Sequence, residues 1–94
     1  MFGMFRRQDS RFRDEGSFLL ARVRTAKSGE VIRVRLSKTS EMSAQGNGYF
    51  VRKVLVGPDS LDQAVLEVTT NRAHKVTLAV VDGGDLVPVR QWQD

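Results

Sequence analysis

The sequence predicts an all-β domain, a small antiparallel meander or barrel of five to six strands. Three observations predict it. Apolar and polar residues alternate with period two in several short stretches, Val, Ile, Thr and aromatic residues fill them, and Gly, Pro, Asn and Asp punctuate them. Ninety-four residues, 40% hydrophobic and 28% charged, suit one globular domain.

Residues 1–16 differ in character and read as a basic, aromatic N-terminal tail ahead of a single β-domain over 17–94. Phe2, Phe5 and Phe12 interleave with Arg6, Arg7, Arg11 and Arg13, outside any strand period. Three phenylalanines are much apolar surface to leave in water, so the tail is expected to dock. Its platform is either the domain's own sheet or a partner.

Phe18 to Leu36 forms a predicted β-hairpin, and the rest of the domain is organised around it. Phe18–Thr25 and Glu30–Leu36 both alternate, with Arg22, Arg24, Arg33 and Arg35 on one face and Val23, Ile32 and Val34 on the other. A two-residue Ser28-Gly29 turn would set Arg24 opposite Arg33, Arg22 opposite Arg35 and Val23 opposite Val34. A slip of one residue would mix the faces, so parity is strongly specified.

Residues 37–48 are polar and Gly/Ser-rich and read as a mobile loop, without the GK[ST] sequence of a phosphate loop. Tyr49–Val56 is a third strand, stopped by Gly57-Pro58-Asp59. The stretch 60–72 is two-sided. Ser60-Leu61-Asp62-Gln63 matches a helical capping box, yet Val65–Thr70 is β-branched and places Ala64, Leu66, Val68 and Thr70 on one strand face. A strand is expected. A helix near 60–72 would instead give the order β-β-β-α-β-β, which is OB-like as a matter of element order alone. Val76–Val81 and Leu86–Val89 complete a second hairpin if Gly83-Gly84 forms a type I′ turn. That turn would set Val80 opposite Val87 and Leu78 opposite Val89, facing the core, with Trp92 opposite Lys75.

Charge is unevenly spread. Residues 1–47 hold ten Lys/Arg against five Asp/Glu, and residues 48–94 hold five against six. The basic excess therefore sits in the tail and first hairpin, which points to an acidic partner. Like charges directly opposite across strands cost roughly 0.2–1 kcal/mol per pair. Two readings account for that cost: a solvated face whose side chains splay apart, or a docking surface for phosphates or carboxylates, which guanidinium groups match bidentately.

Catalytic chemistry is poorly represented. His74 is the lone histidine, between cationic neighbours near a turn, and there is no cysteine. No spacing suggests a metal site, a nucleophile with its base, or a cofactor. No run of about 18 apolar residues would cross a membrane, and the N-terminus does not read as a secretory signal, so a cytoplasmic location is expected. The expected function is a non-enzymatic binding module. Arg22, Arg24, Arg33 and Arg35, with Lys38, Arg52 and Lys53, would meet an acidic partner, RNA or DNA backbone before an acidic protein surface. The alternative is an adaptor or structural subunit of a larger complex, docked through Phe2, Phe5, Arg6, Arg7, Arg11, Phe12 and Arg13.

Overall fold

Two four-stranded antiparallel sheets make up the structure, a computed structural model that describes residues 9–93. In the first, β1 (Phe12–Glu15), β2 (Phe18–Thr25) and β3 (Val31–Ser37) lie side by side. In the second, β4 (Ser43–Gln45), β5 (Gly48–Val56), β6 (Gln63–Asn71) and β7 (Val76–Asp82) follow chain order. The chain then returns to the first sheet, where β8 (Gly84–Leu86) pairs with β2, and ends in one 3-10 turn, Val89–Gln91. The all-β class is as expected. The sheets do not close into a barrel, and eight strands replace the expected five to six.

Alternation explains the core. Leu19, Ala21, Val23 and Thr25 of β2 are buried, as are Ile32, Val34 and Leu36 of β3. Ala64, Leu66, Val68 and Thr70 of β6 point inward, and Val51 and Leu55 of β5 join them. Residues from both sheets form one apolar cluster, so the sheets pack face to face. Residues 63–71 are a nine-residue strand between β5 and β7. The OB-like alternative fails because a helix would leave Leu66 outside, whereas the strand buries it completely.

Four local expectations are corrected. First, β2 and β3 pair two residues away from the expected register: Arg22 faces Arg33, Val23 faces Ile32 and Arg24 faces Val31. The connection is four residues long, closed by the Thr25 N–H donating to the Glu30 carbonyl. A shift of two preserves parity, so both faces keep their predicted members. Second, residues 12–15, placed in the tail, form a strand along β2, and Phe12 is buried in the core. Third, the loop after β3 contains β4, which turns back at Gly46-Asn47 to pair with β5.

The fourth correction is the second hairpin, which does not form. β8 pairs with β2 rather than β7, setting Val23 opposite Leu86 and Arg24 opposite Asp85. β8 lies along the same edge of β2 as β1 and continues where β1 stops. Gly83, at φ +89°, bends the chain from one sheet to the other. A Cβ on Gly84 would overlap the Arg24 carbonyl oxygen, so the strand crosses there only as glycine. The faces of β7 are also inverted beyond Thr77. The register shifts between Thr69 and Thr70, where Thr70 faces Val76 and Thr69 faces Leu78. This irregularity turns Leu78 and Val80 outward and Ala79 and Val81 inward.

Carboxylates clasp the loops. The Asp62 carboxylate accepts from the Thr25 hydroxyl (2.8 Å) and from the Ser28 amide (3.0 Å) and hydroxyl. Glu30 accepts from the Ser60 hydroxyl (2.6 Å) and from the amides of Asp59 and Ser60. Asp14 pairs with Lys38 (2.8 Å), Glu41 with Lys53 (2.7 Å) and Asp9 with Arg11 (2.9 Å). These hydrogen bonds hold all five carboxyls below their usual range: Ser28 and Thr25 act on Asp62, Ser60 on Glu30, Lys38 on Asp14, Lys53 on Glu41 and Arg11 on Asp9. A lowered folded pKa adds stability that is present above the ordinary values of 3.8 and 4.5 and is lost as pH falls through the folded ones. Urea midpoints are therefore expected to stay level down to about pH 5 and to fall continuously below it. A midpoint that rises on acidification would show that the clasps add nothing.

Leu61 sits in the same loop at φ +63°, with 71% of its surface exposed. A left-handed conformation costs a side-chain-bearing residue about 1–2 kcal/mol, and glycine returns part of that gain as unfolded-state entropy. Leu61→Gly is expected to raise the unfolding free energy by about 0.5 kcal/mol, measured by urea denaturation.

Candidate functional site

The outer face of the first sheet carries the arginines. Strand pairing arranges it in rows: Arg13, Leu20 and Arg35, then Arg22 and Arg33, then Asp85, Arg24 and Val31. Five guanidinium groups thus share one face. Arg24, Arg33 and Arg35 are exposed, and Arg13 and Arg22 are half-buried.

Trp92 explains that difference. Val87 is held to β2 by its N–H on the Arg22 carbonyl, and Val89 to the segment ahead of β1 by its N–H on the Ser10 carbonyl. The 3-10 turn then folds the chain over the sheet. The indole N–H donates to the Val87 carbonyl at 2.9 Å, which fixes the ring. The guanidinium carbons of Arg13 and Arg22 lie 4.9 and 4.6 Å from its centre. Cation–π contact of this kind lets a tryptophan sit among cations without penalty. Arg22 also donates to the Gln93 carbonyl at 3.0 Å. Arg35 lies 4.4 Å from the centre of the Phe18 ring.

Beside Trp92 opens a pocket of about 350 Å³, lined by Arg22, Arg24, Val31, Arg33, Val87, Gln91, Trp92 and Gln93. Its cations converge from β2 and β3, and its floor is the sheet itself. The nearest acidic residue by strand pairing is Asp85, opposite Arg24. The larger pocket, about 420 Å³, lies between β1 and the C-terminal turn and includes Asp9, Asp14, Arg13 and Arg90. Its two carboxylates oppose an acidic partner and its Arg13 already lies over Trp92, so it offers less to such a partner.

The other predicted binding residues lie elsewhere. Lys38 is bound to Asp14 with its side chain only 13% exposed. Lys53 caps the free edge of β3, donating to the Arg35 carbonyl at 3.0 Å as well as to Glu41. Arg52 stands on the outer face of the second sheet, 3.5 Å from Glu67. Of the predicted tail contacts, Phe12 is core, Arg11 is clasped by Asp9 and Arg13 joins the arginine face. Phe2, Phe5, Arg6 and Arg7 fall outside the described residues.

His74 stacks on Tyr49, with ring centres 4.2 Å apart and planes within 10°, at φ +62°. It belongs to the turn between β6 and β7, in the second sheet. Trp92, expected opposite Lys75 in the second hairpin, lies instead over the first sheet, because the contact that places it runs through the sheet crossing. No protein-family model, curated protein or solved structure matches the chain.

Proposed function

We propose that the chain is a non-catalytic binding module whose arginine face takes the phosphate backbone of a nucleic acid, with little regard to sequence. The observation that carries this reading is the arrangement of Arg22, Arg24 and Arg33 around one open pocket, with no ion pair formed by Arg24 or Arg33 among the described residues. Arg11, Lys38, Arg52 and Lys53 each have a carboxylate, whereas Lys27, Arg72, Lys75 and Arg90 form no ion pair among the described residues; Arg24 and Arg33 differ from these last four in sharing one pocket with a third guanidinium group. Guanidinium groups held on a rigid sheet lose little freedom on meeting a phosphate, which their fork matches.

Trp92 favours phosphate contact over base readout. Its ring already carries two guanidinium groups, so a base stacking there would have to displace them. What remains is an electrostatic surface, and such binding is salt-dependent. Mobility shifts with single- and double-stranded RNA and DNA over a salt series test the reading. Binding to unrelated sequences with similar affinity, weakening linearly in log salt, is expected. Indifference to all four nucleic acids at low salt would overturn it and return the face to an acidic protein partner.

A further inference from the structure

The opposite side of the molecule carries a second surface of different chemistry. On the outer face of the second sheet, strand pairing sets Phe50, Thr69 and Leu78 in one row and Arg52, Glu67 and Val80 in the next. Val54, Val65 and Asp82 follow, then Val56 and Gln63. Of the six large hydrophobic residues exposed among the described residues, four lie here: Val54, Val56, Leu78 and Val80, each about half exposed. Nothing in the described chain covers them. Scattered exposed apolar residues need no explanation, but four on three adjacent strands form a patch.

At the centre of this patch stand one cation and one anion on neighbouring strands. Arg52 and Glu67 are 3.5 Å apart, with side chains 56% and 44% exposed, so each keeps hydrogen-bonding capacity for a second partner. A face with this pattern is complementary to its own copy. Rotation about a two-fold axis between the two charges sets Arg52 against Glu67 of the partner subunit, and sets Glu67 against the partner's Arg52. Val54 then lies over the partner's Val65 and Phe50 over the partner's Thr69, with Leu78 and Val80 at the rim. Asp82 ends its row at the tip of β7, outside this central pairing.

We infer that this face is the interface of a symmetric homodimer. A nucleic acid would find one arginine there already matched by Glu67, with Asp82 beside it. An apolar partner of other origin would bury this half-exposed ion pair without answering its remaining hydrogen-bonding capacity. The three strands span a face of on the order of 300 Å², taking about 4.8 Å between strands and 3.3 Å per residue. That is less than the roughly 800 Å² per partner of a standard interface, so association is reversible and concentration-dependent. Because the two outer faces look in opposite directions, such a dimer would present two arginine faces outward.

Sedimentation of the full chain from micromolar to millimolar concentration tests the inference. The wild type is expected to pass from monomer to dimer mass. Val54→Glu, on an exposed position next to the axis, should weaken dimerisation by roughly tenfold or more while the thermal melt of the monomer is kept. Arg52→Glu alone and Glu67→Arg alone should each stay monomeric, since each sets like charges together across the axis. Mixed in equal amounts, those two variants should dimerise again, because every cross-axis contact then joins opposite charges. A wild type that is monomeric throughout overturns the inference. So does a dimer indifferent to Val54→Glu, which would be built on another surface such as the free edge of β7. Failure of the mixed variants to reassociate overturns it as well.

Discussion

Leu66→Ala is expected to lower the unfolding free energy by about 3 kcal/mol, while Leu78→Ala changes it by less than about 0.5 kcal/mol. The two leucines sit on adjacent strands of one sheet and are chemically identical. Leu66 is fully buried within β6, flanked by Lys53 and Val81 and facing the opposite sheet, so truncation leaves a void among packed side chains. Leu78 is 59% exposed, and its methyl groups already meet water. A loss of about 3 kcal/mol is a large share of the roughly 5–15 kcal/mol that stabilises a domain. Urea denaturation of the two variants beside the wild type measures both effects. Equal losses would place Leu78 in the core and refute the irregularity at Thr77.

That comparison also marks where the sequence stops being legible. Alternation alone puts Val76, Leu78 and Val80 on one face, and the apolar face is naturally taken as the inner one. The structure keeps Val76 against the core and skips one residue at Thr77, so every later side chain of β7 changes sides. A single unpaired residue costs the pattern nothing visible, because Leu78-Ala79-Val80-Val81 is apolar on both faces. Gly83-Gly84 misleads for a similar reason. A pair of glycines suits a type I′ turn, but it suits equally a backbone that bends out of one sheet and passes close to a carbonyl of the other.

The first hairpin shows the opposite case. Its parity was readable because Arg22, Arg24, Arg33 and Arg35 are charged, and no register shift by an odd number of residues tolerates them beside Val23, Ile32 and Val34. Its register was not, because a shift by two leaves both faces intact. The longer connection is held by Asp62, 34 residues from Ser28, together with Glu30 reaching to Ser60. Those contacts are tertiary, and local turn preferences do not encode them. The arginine face could thus be named from the sequence. Its Trp92 wall could not.

Replacing Arg24 and Arg33 together by glutamine is expected to reduce nucleic-acid affinity on the order of a hundredfold, with the fold intact. Each arginine is assigned one phosphate contact, and charge-assisted hydrogen bonds contribute about 1.5 kcal/mol or more apiece, close to tenfold each. The loss should be uniform across sequences. The slope of log K against log salt should flatten by about 0.9 per lost contact on duplex DNA and about 0.7 on a single strand. Stability should hold or rise slightly, because Arg33 stands directly opposite Arg22 and that like-charge pair is unfavourable by roughly 0.2–1 kcal/mol. Lys38→Gln with Lys53→Gln removes the same number of charges and should behave in reverse. Those lysines bridge to Asp14, Glu41 and the β3 edge, so the urea midpoint should fall while the salt slope on nucleic acid stays unchanged. Net charge is equal in the two double variants, so non-specific attraction predicts equal losses of affinity from both. Equal losses would mean that the arginine face is not the contact surface. If the arginine variant unfolds instead, these side chains hold the sheet, and Arg24 and Arg33 are structural.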